Sequence, residues 1–442
     1  MITSKVLACT PENLLSTYKE DAIGRNHFLY RFIHLLNCLE GSSIIALDGH
    51  WGSGKSFFVK QAKMVLDAHN PYIKHDTLVD KEEICKAWKE IAHSMGGKEL
   101  SLKKHVCVYY DSWLHDDDED PLLSLIFEIY CSIKNEYAFH EMFNILDVLG
   151  NVVDAVSGKS ISKIRESLKR QKDPFQSLLD ERELSKKIKE FLNSLLAEQG
   201  ERLVIIVDEL DRCNPIFAVR LLEKIKHYFD NENITFVLSI NSYELQNTIK
   251  NYYGERFNAT GYLNRFIDLR VVLPPVDLQS YFRYLRENSN RYPVEQCLIE
   301  EYGFQLRDIA KYILMINIVC PKNTSYYSSD TSLVGRVFVP ILVALQMHNL
   351  DKYHDFINGI DSPPLVDLAN NSSLAKWINR IFGDNGANKD TDMLKKQLDE
   401  TYHCFFEASS EENTVGSLII TSNMKELIME IISMLSDYAN YL

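Results

Sequence analysis

The sequence predicts an α/β fold with a mostly parallel sheet, a helical insertion and a helical C-terminal region. Short apolar runs alternate with helical patterns over the first 275 residues, which is typical of a parallel sheet covered by helices on both faces. A glycine-rich loop lies between the first apolar run and a helical pattern. Beyond Pro275 the pattern is mostly helical, and we find no further convincing strand.

The predicted strands are runs rich in β-branched, aliphatic and aromatic residues. There are five of them, at residues 43–47, 105–113, 202–209, 234–241 and 266–275. Helical spacing of apolar residues predicts a helix of about 15 residues after Gly24 and another over residues 57–69.

These elements suggest three parts for the chain of 442 residues. Residues 1–275 would form a nucleotide-binding core, with a helical insertion at about residues 121–200. Residues 276–320 would form a helical lid, and residues 321–442 a helical C-terminal domain to which no motif assigns a chemistry.

Composition narrows the classes of function. With 48 basic and 62 acidic residues the formal net charge is −14, which gives no general reason to expect nucleic-acid binding. The nine cysteines are dispersed without C-x-x-C spacing, so we expect neither a zinc site nor a disulfide framework. Dispersed thiols of this kind predict a protein of the reducing cytoplasm. The N-terminus lacks the pattern of a secretory signal. No run reaches the length of a membrane span, and the nearest candidates, residues 142–156 and 334–347, are predicted to be buried helices.

The loop after the first strand matches the phosphate-binding pattern G-x-x-x-x-G-K-[ST] in full. Its residues are Gly49, His50, Trp51, Gly52, Ser53, Gly54, Lys55 and Ser56. Glycines let successive backbone N–H groups turn towards phosphate oxygens, and the following helix adds its N-terminal dipole. Lys55 would reach the β- and γ-phosphates of ATP, Ser56 would coordinate Mg²⁺, and Phe57 completes the predicted nucleotide-binding segment.

A second Gly-Lys-Ser sequence, at residues 158–160, serves as an internal control. Val153 stands where its first glycine should be, and no predicted strand precedes it. We therefore interpret that copy as a polar surface segment.

A partner for the magnesium ion is expected at the end of the most apolar strand. Asp208 follows the run LVIIV, and the carboxyl ends of parallel strands face the ligand crevice, so Asp208 is predicted to reach the metal. Glu209 is the first candidate for the base that activates the attacking water, and Asp211 is the alternative.

Three further side chains are candidates at this site. Asn241 ends the fourth strand and could sense the γ-phosphate or simply cap the next helix. An arginine often stabilises the charge on a transferring phosphate, and Arg265 and Arg307 are the candidates. An arginine contributed by a neighbouring subunit would require a homo-oligomer.

Taken together, these motifs resemble those of the KAP family of P-loop NTPases. The loop GHWGSGKS has the family form G-x-W-G-S-G-K-[ST], and VIIVDELDRCNP resembles the acidic strand of the family. Supporting segments are VYYDSWLHDDDEDPLLSLI, the stretch from INSYELQ to RVVLPP, LRDI, and DAIGR, which contains Arg25. The resemblance covers about residues 15–320.

The resemblance implies ATP binding and hydrolysis coupled to conformational change or assembly, and a nucleotide-binding role for Arg25. It also implies protein partners encoded nearby, in some relatives for bacterial anti-phage defence. Many members carry membrane helices between the phosphate loop and the acidic strand, whereas this interval contains no full span here. Asn241 stands where the family often has Asp.

Three functions stay open from the sequence: a Mg²⁺-dependent ATPase switch, an ATP-binding assembly scaffold with negligible turnover, and a nucleic-acid-sensing NTPase. The third depends on the basic segment at residues 157–172, whose default interpretation is a solvated helix face.

Trp51 occupies a position of the phosphate loop at which the motif specifies no residue type. We expect it to pack beside the loop or to contact the nucleotide.

Overall fold

The computed structural model describes residues 8–74, 80–96, 101–137, 176–229, 231–286, 292–320, 332–382, 391–406 and 412–439. The chain divides into two compact units. The first unit spans Cys9–Asp277, and the second unit contains Leu278–Leu442. Each is described by itself below.

The first unit is built on a five-stranded sheet in the order β2-β3-β4-β1-β5. The strands are β1 (Ser43–Asp48), β2 (His105–Asp111), β3 (Arg202–Asp208), β4 (Ile234–Ile240) and β5 (Leu269–Val272). All four pairings are parallel. The predicted α/β fold with a parallel sheet is confirmed.

The strands end level with one another. Asp208 of β3 is in register with Asp111 of β2 and with Ser239 of β4, and Asp48 of β1 is in register with Ile240. The acidic ends of three strands therefore share one edge of the sheet, where parallel α/β folds bind their ligands.

Nine helices of the first unit are described in these residues. They are α1 (Pro11–Lys19), α2 (Asn26–Cys38), α3 (Lys55–His69), α4 (Lys81–Ser94), α5 (Pro121–Glu136), α6 (Gln176–Gln199), α7 (Pro215–Tyr228), α8 (Ser242–Tyr253) and α9 (Ala259–Leu263). The predicted helices after Gly24 and over residues 57–69 correspond to α2 and α3. The stretch 142–156, the basic segment and the second Gly-Lys-Ser copy lie outside the described residues.

One apolar cluster joins the sheet to helices of the first unit. Val108, Ile205 and Phe236 of neighbouring strands belong to the same buried cluster as Ile129 of α5 and Leu222 of α7. Strand β3 is buried along its whole length. This explains the near-continuous apolar run in its sequence, because both faces of a central parallel strand are covered.

The second unit is mostly helical. Its described elements are α10 (Leu278–Leu285), α11 (Pro293–Glu301), α12 (Leu306–Val319), a π-helical segment (Val334–Phe338), α13 (Val339–His348), α14 (Leu350–Ile357), α15 (Pro363–Val366), a 3₁₀ segment (Asp367–Asn370), α16 (Ser372–Ile381), α17 (Thr391–Phe406) and α18 (Ser422–Ala439). Among the helices that the structure describes, none is long and apolar enough to cross a membrane.

A short hairpin in the second unit overturns one prediction. The antiparallel strands β6 (Asn413–Val415) and β7 (Leu418–Ile420) lie beyond Pro275, where no strand was expected. Each strand has only three residues, too few for an alternating pattern to be recognised in the sequence. The turn between them uses Gly416 at a φ of 62°.

Candidate functional site

The phosphate loop connects β1 to α3 and has a conformation that depends on its glycines. Gly52 and Gly54 have φ values of 78° and 85°, in the left-handed region that L side chains disfavour. A Cβ atom on Gly49 would lie 2.9 Å from Ser53 Oγ. Helix α3 begins directly after Gly54 without a side-chain cap, so its first N–H groups are free to meet an anion.

The Lys55 ammonium lies within this loop. Its Nζ donates to the carbonyl oxygens of Gly49 and His50, at 2.7 and 3.1 Å. Burial lowers the pKa of Lys55, whereas the negative charges of Asp211, Asp208 and Glu209 raise it. The loop therefore holds a cation close to the N-terminus of α3, as phosphate binding requires.

Arg25 ties the loop to the end of β5. Its Nη1 donates to the Ser53 carbonyl oxygen at 2.7 Å, and its Nη2 donates to the carbonyl oxygen of Pro274. The side chain is buried, and burial lowers the pKa of the Arg25 guanidinium to about 10. The contacts observed for Arg25 are with backbone, and its predicted contact with nucleotide stays a prediction.

Asp208 is held at the end of β3 by two donors. Tyr109 Oη donates to Asp208 Oδ2 at 2.8 Å, and the Glu209 N–H donates to Oδ1 at 3.1 Å. The residue is 1% exposed. Burial and the adjacent Asp208 charge raise the pKa of Tyr109, so its hydroxyl stays protonated and keeps donating.

Glu209 joins the acidic strand end to the phosphate loop. Ser56 Oγ donates to Glu209 Oε1 at 3.3 Å, and the Arg212 Nε forms an ion pair with Oε2 at 2.7 Å. Burial raises the pKa of Glu209 and the charge of Asp208 raises it further, while Arg212 acts in the opposite direction. The structure thus brings together two predicted site residues that lie 153 positions apart.

The backbone of Glu209 is unusual. Its φ of 61° places a residue other than glycine in the left-handed region, immediately before the 3₁₀ turn Leu210–Arg212. Such conformations cluster at functional sites.

Trp51 packs beside the loop through a specific contact. Its Nε1 donates to Asp211 Oδ2 at 2.6 Å, and its side chain remains 47% exposed. The Arg212 guanidinium carbon lies 5.7 Å from the Trp51 ring and 5.6 Å from the ring of Trp113. Arg212 is therefore within cation–π distance of two indoles while it pairs with Glu209.

The other predicted residues are spread over different surroundings. Asn241 caps α8, because its side chain accepts from the N–H groups of Tyr243 and Glu244 at 3.2 and 3.5 Å. The side chain of Phe57 is buried, whereas Arg265 is exposed between α9 and β5. Arg307 is exposed at the start of α12 in the second unit.

Sequence reasoning missed three contributors to this site: Tyr109, Arg212 and Trp113. Arg212 and Trp113 stand inside the segments that carry the family resemblance, which is the signal that could have selected them. Tyr109 has no such signal, since an aromatic residue inside a strand is ordinary.

Comparison with known proteins fits this geometry. The sequence model of the KAP family P-loop domain matches residues 25–334, which is more than half of the 442 residues. The chain belongs to the KAP family. This KAP-family match includes the phosphate loop, the acidic strand end and all five strands of the sheet.

One curated protein is similar to this chain over a smaller region. An uncharacterized protein of Methanocaldococcus jannaschii is 25% identical, with 29% of this chain and 87% of the relative covered. Membership of the KAP family confirms the predicted P-loop NTPase fold and indicates nucleotide binding and nucleoside triphosphate hydrolysis in general.

Proposed function

We propose that this KAP-family protein binds ATP together with Mg²⁺ and hydrolyses it as a molecular switch. The observation that carries the proposal is the contact between Ser56 and Glu209, with the Lys55 ammonium nearby in the loop. A hydroxyl for the metal, a cation for the phosphates and a carboxylate for the water are thereby combined at one edge of the sheet.

The residues fit a magnesium–nucleotide complex. Loop N–H groups and Lys55 would bind the β- and γ-phosphates, and Ser56 Oγ and the Asp208 carboxylate offer the hard oxygen ligands that Mg²⁺ prefers. When bound, the metal would withdraw charge from the phosphate oxygens. Tyr109 orients Asp208 by donating to one of its oxygens.

Glu209 is the proposed base. Its carboxylate would accept a proton from water as the water oxygen attacks the γ-phosphorus and the bond to the leaving ADP oxygen breaks. Asp211 is the alternative, because Trp51 holds one of its oxygens while Oδ1 is buried without a hydrogen-bond partner among the described residues.

The same contacts suggest how the switch is coupled to the nucleotide. Ser56 Oγ donates its proton to Glu209 and keeps lone pairs that could coordinate Mg²⁺, so the ion would be linked to Glu209 through this hydrogen bond. Arg212 would hold the other carboxylate oxygen of Glu209 by its ion pair. Binding and release of the nucleotide would thus be transmitted to the acidic turn through Ser56.

The decisive experiment is ATP turnover by the purified protein with Mg²⁺ and with EDTA. Lys55→Ala should lower kcat/KM by about 100-fold or more, because the phosphates lose their fixed cation. Lys159→Ala is the matched control, since Lys159 belongs to the second Gly-Lys-Ser copy, and its turnover should equal that of the wild type. Full turnover by Lys55→Ala would refute the site.

The assembly-scaffold alternative gives a different pattern. If the wild type binds ATP but shows no turnover with any partner, while Asp208→Ala abolishes nucleotide-dependent assembly in light scattering, the protein is a scaffold. If the wild type does hydrolyse ATP, the variants Arg265→Ala and Arg307→Ala separate the two arginine candidates. The substitution that lowers kcat while leaving nucleotide affinity unchanged identifies the arginine that acts on the transition state.

The biological process is proposed only from the family. We place the ATPase in the cytoplasm, with protein partners encoded nearby, and infer a role in anti-phage defence. Plating of phages on cells expressing the wild type or Lys55→Ala together with neighbouring genes tests this role. Protection by the wild type alone supports it, and equal plating on both strains contradicts it.

A further inference from the structure

A cavity of about 400 Å³ lies within the second unit. Its described lining combines the π-helical segment and the residues just before it, helix α16, strand β7 and the start of α18. The lining residues are Ser332, Leu333, Arg336, Trp377, Arg380, Ile381, Leu418 and Met424. None of them belongs to the phosphate loop or to the acidic strand end.

The charged side chains among the described lining residues are both basic. Arg336 and Arg380 contribute two cations, and no Asp or Glu stands among the described lining residues. This contrasts with the net charge of −14 for the whole chain. A concave wall with unbalanced positive charge attracts and retains anions.

Neither arginine side chain has a hydrogen bond or an ion pair among the residues that the structure describes. The Nε of Arg336 is buried without an acceptor. A buried donor without a partner is costly and rare in native proteins, so it indicates that an acceptor from outside the described chain belongs there.

The position of Arg336 in the sequence makes the same point. Arg336 is the only Lys, Arg, Asp or Glu between residues 332 and 350, and its neighbours in the π-helical segment are buried. A π-helical turn inserts an extra residue into a helix and occurs frequently at functional sites. An arginine retained within so apolar a stretch points to a specific acceptor.

The remaining walls suit a planar apolar group. Trp377 lines the cavity with Leu333, Ile381, Leu418 and Met424. An indole offers a face for stacking, and aliphatic side chains close an apolar slot around a ring. The guanidinium groups offer forked donors that match phosphate oxygens.

From these observations we propose that the cavity of the second unit binds a small phosphate ester that carries an aromatic ring. The two guanidinium groups bind the dianionic phosphate, and Trp377 packs against the ring. This site is separate from the nucleotide site of the first unit and does not depend on ATP hydrolysis.

Phenyl phosphate is the probe for the test, in isothermal titration calorimetry with the full chain. The background is Lys55→Ala, so that binding at the phosphate loop is suppressed. We expect one site with millimolar or tighter affinity, weakened about tenfold or more in Arg380→Gln, because an exposed arginine can be replaced without loss of the fold. Lys376→Gln, an exposed neighbour outside the lining, is the matched control and should bind like the parent.

Two further probes and two further variants separate the parts of the proposal. Benzyl alcohol, which lacks the phosphate, should not bind, and inorganic phosphate should bind about tenfold more weakly than phenyl phosphate. Trp377→Leu should remove this preference for the ring while inorganic phosphate binds as before. Arg336→Lys, checked for folding by its melting temperature, should weaken the binding of both phosphates.

The proposal is overturned if Arg380→Gln binds phenyl phosphate as well as Lys376→Gln does, or if no heat of binding is found at millimolar probe concentration. Equal binding of benzyl alcohol would also overturn it, because the arginines would then be irrelevant.

Discussion

The two edges of the parallel sheet in the first unit are built differently. At the amino edge, Arg202 is 4% exposed and donates to the Gly41 and Glu232 carbonyl oxygens and to Thr235 Oγ1, at 3.1, 3.2 and 2.7 Å. At the carboxyl edge, buried side-chain atoms lack partners among the described residues. They include Ser53 Oγ, Asp211 Oδ1 and Ser242 Oγ.

This difference indicates that the amino edge of the sheet serves stability and that the carboxyl edge serves ligand binding. A buried charge that satisfies three acceptors fixes the strands at the edge opposite the phosphate loop. Unpaired donors and acceptors at the other edge cost stability and provide the contacts that a nucleotide would take up. Substitutions at the two edges should therefore affect different measurable quantities.

The largest effect is expected at the carboxyl edge. Glu209→Gln should lower kcat for ATP by about 100-fold or more, because an amide cannot accept the proton, while nucleotide affinity changes little. Glu201→Gln, exposed at the opposite end of the same strand, is the control and should leave kcat unchanged. If Asp211→Asn lowers kcat more than Glu209→Gln does, Asp211 is the base instead.

The second prediction concerns the amino edge. Arg202→Met should destabilise the first unit by about 2–4 kcal/mol, because three acceptors, among them the buried Thr235 hydroxyl, lose their donor. Native-state hydrogen exchange of the β3 amides measures this change, and kcat should stay within about twofold of the wild type. Arg220→Met, an exposed arginine on α7, provides the control and should leave the exchange rates unchanged. A loss of turnover in folded Arg202→Met would contradict the inference that the amino edge serves stability alone.

The smallest effect is a pH dependence at the amino edge. His105 is buried at the start of β2, and burial lowers its pKa from 6.5 to about 4, although hydrogen bonds with the backbone of Lys103 and Leu36 act in the opposite direction. Unfolded His105 binds a proton below pH 6.5 that the folded residue takes up only near pH 4. Its contribution to stability is therefore fully present above pH 6.5 and is lost as the pH falls towards 4.

Between pH 7 and pH 5 this loss amounts to about 2 kcal/mol of the unfolding free energy. Exchange of the β2 amides measured at both pH values, corrected for intrinsic rates, should show it in the wild type and not in His105→Leu. His227→Asn replaces an exposed histidine and should retain the loss. An identical pH dependence in His105→Leu would assign the effect to other groups.

Most of the fold and half of the candidate site could be predicted from the sequence because their signals are local. The glycines, Lys55 and Ser56 form one contiguous motif, and Asp208 ends an apolar run that marks a central strand. Each of these features fixes the local backbone conformation, so the spacing of residues along the sequence is enough to predict it.

The missed contacts depend on which strands become neighbours. Trp51 reaches Asp211 across 160 positions and Tyr109 reaches Asp208 across 99, and both contacts require the acidic turn to meet the loop and β2 to lie beside β3. Strand order is not encoded in any local pattern. The arginine-lined cavity was missed for the same reason, since its residues come from four separate segments.

The left-handed backbone of Glu209 has a consequence for which residues the position can hold. A side chain at φ 61° costs roughly 1–2 kcal/mol that glycine would avoid. Glycine would thus give the more stable protein and lack the carboxylate that the proposed reaction needs. At this position stability and the proposed activity favour different residues, and a screen for thermostability alone would select against the carboxylate.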